Sequence, residues 1–164
     1  MTTKDLEYTS LKPLIAAFEE KGRGESAAFL GWFLENVYRL DDVAADDAIC
    51  DRPNDKGVDA IYVDHNTEEI HILQSKIVQS VEKTIGDVGP KNLLGSLAQF
   101  ETEESVATIL NGNANPELKA ALSRLEISGL IEKGYRVLGI YVANQDSDPN
   151  TTELLKHASN LRVY

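Results

Sequence analysis

The sequence predicts an α/β fold in which a short β-hairpin is set among helices. Three observations lead there. Residues 58–64 and 69–76 are two β-branched runs separated by His65, Asn66, Thr67 and Glu68, the pattern of a hairpin. Residues 25–40 carry Ala28, Phe29, Trp32, Phe33 and Val37 at helical spacing. Much later, residues 137–142 form an apolar run of the kind found in buried strands.

The other elements follow in order. Residues 11–20 read as a short amphipathic helix, with Pro13 in its first turn and Gly22 and Gly24 beyond its end. After the longer helix, the aspartate-rich residues 41–47 read as a solvated loop, and Ala48, Ile49 and Cys50 as a short strand. Residues 51–57 are turn chemistry throughout, with Pro, Asn, Asp and Gly. Beyond the hairpin come a mixed loop, a helix over residues 92–103 and a loop over 111–115. A helix starts at Pro116, capped by Asn115. Asn150, with Glu153 three residues on, opens a short late helix. The chain stops at Leu161, Arg162, Val163 and Tyr164, a strand without an exit, so the expectation is the N-terminal part of a longer protein.

Composition bounds the function. A chain of 164 residues, 42% hydrophobic and 26% charged, suffices for one globular domain with a sizeable core. No apolar run approaches the ~20 residues that cross a bilayer, and residues 1–5 lack the layout of a signal peptide. The single cysteine, Cys50, excludes an internal disulfide and fits a reducing compartment. The expected setting is the cytoplasm, with no membrane partner. His65, His71 and His157 are too dispersed for a zinc site. A net charge of −11 disfavours phosphate binding unless the bases cluster or another part of a longer protein does the gripping.

The hairpin carries the chemistry. A four-residue loop at 65–68 sets Asp64 opposite Glu69, hence Asp59 opposite Gln74 and Gly57 opposite Lys76. Opposed residues share a face, with Cβ atoms about 5 Å apart, and alternation puts Gln74 and Lys76 on it together. Ile61, Val63, Ile70 and Ile72 make the rest of that face apolar, while Tyr62, Asp64, Glu69, His71 and Ser75 lie opposite, His71 as a solvated or bridging residue. A carboxylate, an amide and an amine thus stand at the end of a core face, where each needs a partner or a ligand. A mutually satisfied Asp–Lys pair accounts for the same spacing, and a one-residue bulge would shift the register.

A hard cation suits these groups. Mg²⁺ or Mn²⁺ would take Asp59, the amide oxygen of Gln74 and the backbone carbonyl of Ser75. Lys76 would orient or deprotonate the attacking water and steady developing negative charge. Gly57 would leave room for Lys76. Asp46 and Asp51 are the acids able to approach a second metal.

The stretch from Asn54 through Gly57, Asp59 and Ile61, followed by a hairpin and then Leu73, Gln74, Ser75 and Lys76, resembles the PD-(D/E)XK nuclease superfamily. The form is that of its Mrr-like restriction endonuclease branch, G-x-D followed by Q-x-K. Residues 25–100 look like the N-terminal domain of AIPR (abortive infection phage resistance) proteins. The resemblance implies a restriction endonuclease-like core, a mixed β-sheet with αβββαβ order flanked by helices. It implies Asp59 and Gln74 as metal ligands, Lys76 as the catalytic lysine, and a Glu on the preceding helix. Glu35 is that Glu, with Glu25 the alternative; a Glu at a helix N-terminus is often only a dipole partner. Implied with these are hydrolysis of nucleic acid, DNA ahead of RNA, in bacterial anti-phage defence, and a C-terminal remainder. A homodimer is a further expectation. Gln74 departs from the acid of the name-giving motif, which removes a negative charge. The rival reading is a catalytically inactive domain of the same fold acting as an interaction or assembly module.

Overall fold

A computed structural model describes residues 6–20, 22–80 and 83–164, so residues 1–5, read above for a signal peptide, lie outside the described residues. The chain is a mixed α/β structure. Its helices are α1 (Tyr8–Glu19), α2 (Glu25–Asn36), α3 (Asp42–Ala48), α4 (Val88–Leu97), α5 (Glu103–Asn111), α6 (Pro116–Arg124), α7 (Ile127–Glu132) and α8 (Pro149–His157). Its strands are β1 (Ala60–Asp64), β2 (Glu69–Lys76), β3 (Arg136–Ala143) and β4 (Leu161–Val163), side by side in that order. β1 and β2 are antiparallel; β2 with β3, and β3 with β4, are parallel. Among the described residues no helix is long and apolar enough to cross a membrane.

The turn sets the hairpin register as expected, with Asp64 opposite Glu69 and Ile61 opposite Ile72. The second face departs from expectation. The crossover helices that parallel strands need, α4 to α8, cover one face of the sheet, and the helices before β1, α1 to α3, cover the other. Ile61, Val63, Ile70 and Ile72 pack with residues of α4 to α8, while Ala60, Leu73, Leu138, Ile140 and Val142 pack with α1 to α3. His71 and Glu69 are therefore buried instead of solvated. They are also fully partnered. Arg136 donates to Glu69 at 2.6 Å and Arg162 at 3.3 Å. His71 bridges Glu69 Oε2, 3.1 Å away, and the Tyr38 hydroxyl, 2.8 Å away.

Four local expectations are corrected. The acidic stretch at 41–47 forms most of helix α3, because Asp41 accepts from Ala44 N–H at 2.8 Å and Asp42 sits in the first turn, where the helix dipole favours an acid. Helix α2 ends at Asn36, before Leu40, since Arg39 takes a left-handed conformation (φ 60°) and reverses the chain. The strand expected at 48–50 is reduced to one antiparallel bridge, Ile49 to Ala60. Helix α8 is capped by Asp148, which accepts from Thr151 N–H at 2.7 Å, rather than by Asn150.

The Asn115 cap is present and does more than end a helix. Its Oδ1 accepts from Leu118 N–H at 2.6 Å, its Nδ2 donates to the carbonyls of Cys50 and Arg52 at 3.1 Å each, and its backbone N–H donates to Asn54 O at 3.0 Å. One buried amide therefore ties α6 to the loop after Ile49. Asn115→Ala is expected to lower the unfolding free energy by about 2–3 kcal/mol, from a lost cap and two stranded carbonyls. Thr102→Ala, at the exposed cap of α5, should lose only about 1 kcal/mol. Urea denaturation of both variants checks the contrast.

Candidate metal centre

The centre lies where β1 departs from β2. Asp59 N–H donates to the carbonyl of Leu73 at 2.8 Å, and Leu73 is already the partner of Ala60. Two successive residues thus address one, as in a β-bulge. The expected Asp59–Gln74 pairing is corrected accordingly. Beyond the bulge the Asp59 side chain takes over the ladder: its Oδ2 accepts from Ser75 N–H at 2.7 Å, with the Ser75 hydroxyl at 3.3 Å. A strand N–H points along the plane of the sheet, so this carboxylate sits at the edge of β2, between the two faces.

The loop brings two more acids to it. One carboxylate oxygen from each of Asp51, Asp55 and Asp59 lies within 4.8 Å of the others, an arrangement that can hold a metal ion. Tight backbone geometry produces this. Asn54, Lys56 and Gly57 all have positive φ (68°, 61° and 77°), and Asp55 Oδ1 accepts from Gly57 N–H at 2.7 Å. Burial pushes the Asp59 carboxyl up to about 6 against the lowering effect of the Ser75 N–H, and the charges of Asp51 and Asp55 push it further. Asp51 is raised as well, by burial and then by Asp55. Acids this close repel when ionised, and a divalent cation relieves that repulsion.

Gln74 stands on the α4 side of β2. A Cβ on Gly57 would lie 2.9 Å from Ser96 Oγ and 3.9 Å from Gln74 Nε2. The absent side chain therefore makes space for Ser96 and Gln74, not for Lys76. Gln74 Oε1 is buried and has no hydrogen-bond partner among the described residues. Lys76 is exposed. Ser75 enters through its N–H, while its hydroxyl proton goes to the nearer acceptor, Ser26 O at 2.9 Å.

That last bond sets the start of α2 against β2. Ser26 opens α2 at the site, and Glu35 lies nine residues further on, about 13 Å along the helix axis. The structure does not bring Glu35 to the carboxylates. Glu25 is at the site end, where Lys12 donates to it at 2.7 Å, the Tyr8 hydroxyl donates as well, and Gln79 Nε2 donates at 3.0 Å. Those bonds, that from Lys12 foremost, lower its pKa to about 2. Asp46 pairs with Arg23 at 2.6 Å and stays out of the cluster. Asp51 joins it, and Asp55 is the residue that sequence reasoning passed over as turn chemistry. Its signal was the recurrence of Asp at every fourth position, 51, 55 and 59. A groove of about 380 Å³ runs beside Asp51, lined by Arg23, Asp47, Arg52, Glu117 and Arg124.

No family model, curated protein or solved structure matches the chain. What the centre can do rests on its own geometry.

The raised Asp59 pKa has a definite sign. Between its ordinary 3.8 and about 6 the folded chain binds the proton and the unfolded chain does not. With chelator present, stability should therefore fall as pH rises from about 4 to 6 and level off above, by on the order of 3 kcal/mol. Asp59→Asn should lack that component and melt higher than wild type above pH 6. Thermal melts of the two proteins across this range, compared as a difference, isolate the contribution.

Proposed function

We propose that this chain is a metal-dependent nuclease domain of restriction-endonuclease type, hydrolysing phosphodiester bonds of nucleic acid with Mg²⁺ or Mn²⁺. The observation that carries the reading is the cluster of Asp51, Asp55 and Asp59, together with the amide oxygen of Gln74, which is buried and has no partner among the described residues. Hard cations take carboxylate and neutral carbonyl oxygens, and the absence of Cys or His from the cluster speaks against zinc. Asp51, Asp55 and Asp59 would hold the ion, with Gln74 Oε1 as the neutral donor. Bound there, a divalent ion supplies a Lewis acid for a phosphoryl oxygen and lowers the pKa of water.

The chain's own residues do the rest. Ser75 N–H fixes the orientation of the Asp59 carboxylate before any ligand arrives, and the Ser75 hydroxyl ties that strand to α2. Lys76, exposed on the same strand, steadies negative charge on a phosphate or positions the attacking water. Glu25 takes the place expected of Glu35 as the acid of the preceding helix. The Ile49 bridge, β1 and β2 then correspond to the three-stranded meander of the restriction-endonuclease core, and β3 to its parallel strand. DNA as substrate and a role in anti-phage defence of the AIPR kind follow the same resemblance.

The module reading keeps some support. The net charge is −11, and in the groove Arg23 and Arg124 already pair with Asp46 and Asp47. Cleavage of supercoiled plasmid and of single-stranded RNA, with Mg²⁺ or Mn²⁺, separates the two. Asp59→Asn and Lys76→Ala are each expected to reduce cleavage by about 100-fold or more, whereas Glu35→Ala should leave it unchanged. A folded wild type that neither cleaves nor binds Mn²⁺ by calorimetry would hand the assignment to the interaction module.

A further inference from the structure

We propose that Tyr141 and the first turn of α4 form a subsite for an anionic phosphate oxygen beside the carboxylate cluster. For its ligand, a phosphate of a polynucleotide, the inference rests on the nuclease reading above.

The topology prepares the place. β2 and β3 are parallel, with Gln74 opposite Tyr141 and Lys76 opposite Ala143. Ligands collect outside the carboxyl ends of parallel strands, where the next helix begins. Here that helix is α4. Its first-turn N–H groups, those of Val88 and Gly89, have no acceptor within the helix, and Asp87 makes no side-chain cap to them. The Asp87 carboxylate is held instead by Lys91. Pro90 has no N–H, so two amides face outward from this turn.

A helix start alone is not a site, but Tyr141 is aimed at this one. The residue is 5% exposed, and among the described residues its hydroxyl has no hydrogen-bond partner. The ring is buried while the oxygen reaches solvent, so water or a ligand can take its hydrogen bond. It lies directly against Gly89: a Cβ there would overlap the hydroxyl and come within 2.6 Å of the ring carbon bearing it. Gly89 is thus the α4 residue whose missing side chain admits the phenol. Burial and the Asp59 charge keep the phenol protonated, so it donates. The phenol oxygen thus stands beside a turn whose two amides have no acceptor within the helix, a donor set suited to an anionic oxygen. Lys76 shares that strand face and adds positive charge.

Backbone amide NMR of the full chain, with Ca²⁺ in place of Mg²⁺ to avoid turnover, tests this using inorganic phosphate and a short single-stranded DNA as probes. Both are expected to shift the Val88 and Gly89 amides. Tyr141→Phe, which removes one oxygen and keeps the ring, should weaken DNA binding about tenfold. Unmoved Gly89 amides with both probes, or Tyr141→Phe binding DNA like wild type, would overturn the subsite. If phosphate shifts Gly89 and Tyr141→Phe abolishes the shift while plasmid stays uncut, the subsite stands and the nuclease reading falls. If plasmid is cut by wild type and by Tyr141→Phe with equal KM, the nuclease reading stands and the subsite falls.

Discussion

One hydrogen bond organises the site end of this molecule: Ser75 N–H to the Asp59 carboxylate, at 2.7 Å. Where β1 bulges and leaves β2, a main-chain donor of the central strand loses its regular acceptor. A buried N–H left in that state costs about 1–3 kcal/mol. The side chain of Asp59 supplies the oxygen, and in doing so it is pinned in the plane of the sheet. The acid that a regular ladder would have set on the apolar face instead meets the loop that carries Asp51 and Asp55.

The two ends of the sheet treat buried acid in opposite ways. At the far end Glu69 is surrounded by Arg136, Arg162 and His71, and His71 is in turn held by Tyr38. That network is closed and needs nothing further. At the near end three carboxylates face one another, and among the described residues the buried amide oxygen of Gln74 is left without a donor. Native structures satisfy buried polar groups almost everywhere, so a local concentration of exceptions marks a place built for something else. Rigidity keeps the exceptions in place: residues in left-handed conformation shape the loop, and Asn115 anchors it. Strain of this kind persists only where the surroundings over-determine it.

How much of this was readable beforehand varies with the range of the interaction involved. The hairpin register followed from a four-residue turn, and the Asn115 cap from the Asn-Pro pair, because both are settled within a few residues of chain. Helix α3 was misread because an aspartate-rich stretch looks solvated until Asp41 is seen as a cap and Ala45 and Ala48 as its buried side. Helix α5 went unassigned although Thr102, followed by Glu103 and Glu104, carries an N-terminal signal. The burial of Glu69 and His71 could not be foreseen from alternation, which cannot reveal that helices cover both faces.

The sequence by itself determined the chemical inventory: an aspartate, an amide and a lysine at fixed spacing on a hairpin, with acids in the turn before it. These are matters of local propensity and period-2 alternation, which the chain carries in any context. Only the tertiary structure decided which members meet. A single bulge moved Asp59 off the face it was expected to share with Gln74. The packing of α2 against β2 through Ser26 and Ser75 set the start of α2 against the central strand and left Glu35 at the other end of the helix. Convergence of side chains distant in sequence depends on how elements dock, and docking is set by the summed burial of both faces of the sheet, which no short stretch of sequence encodes.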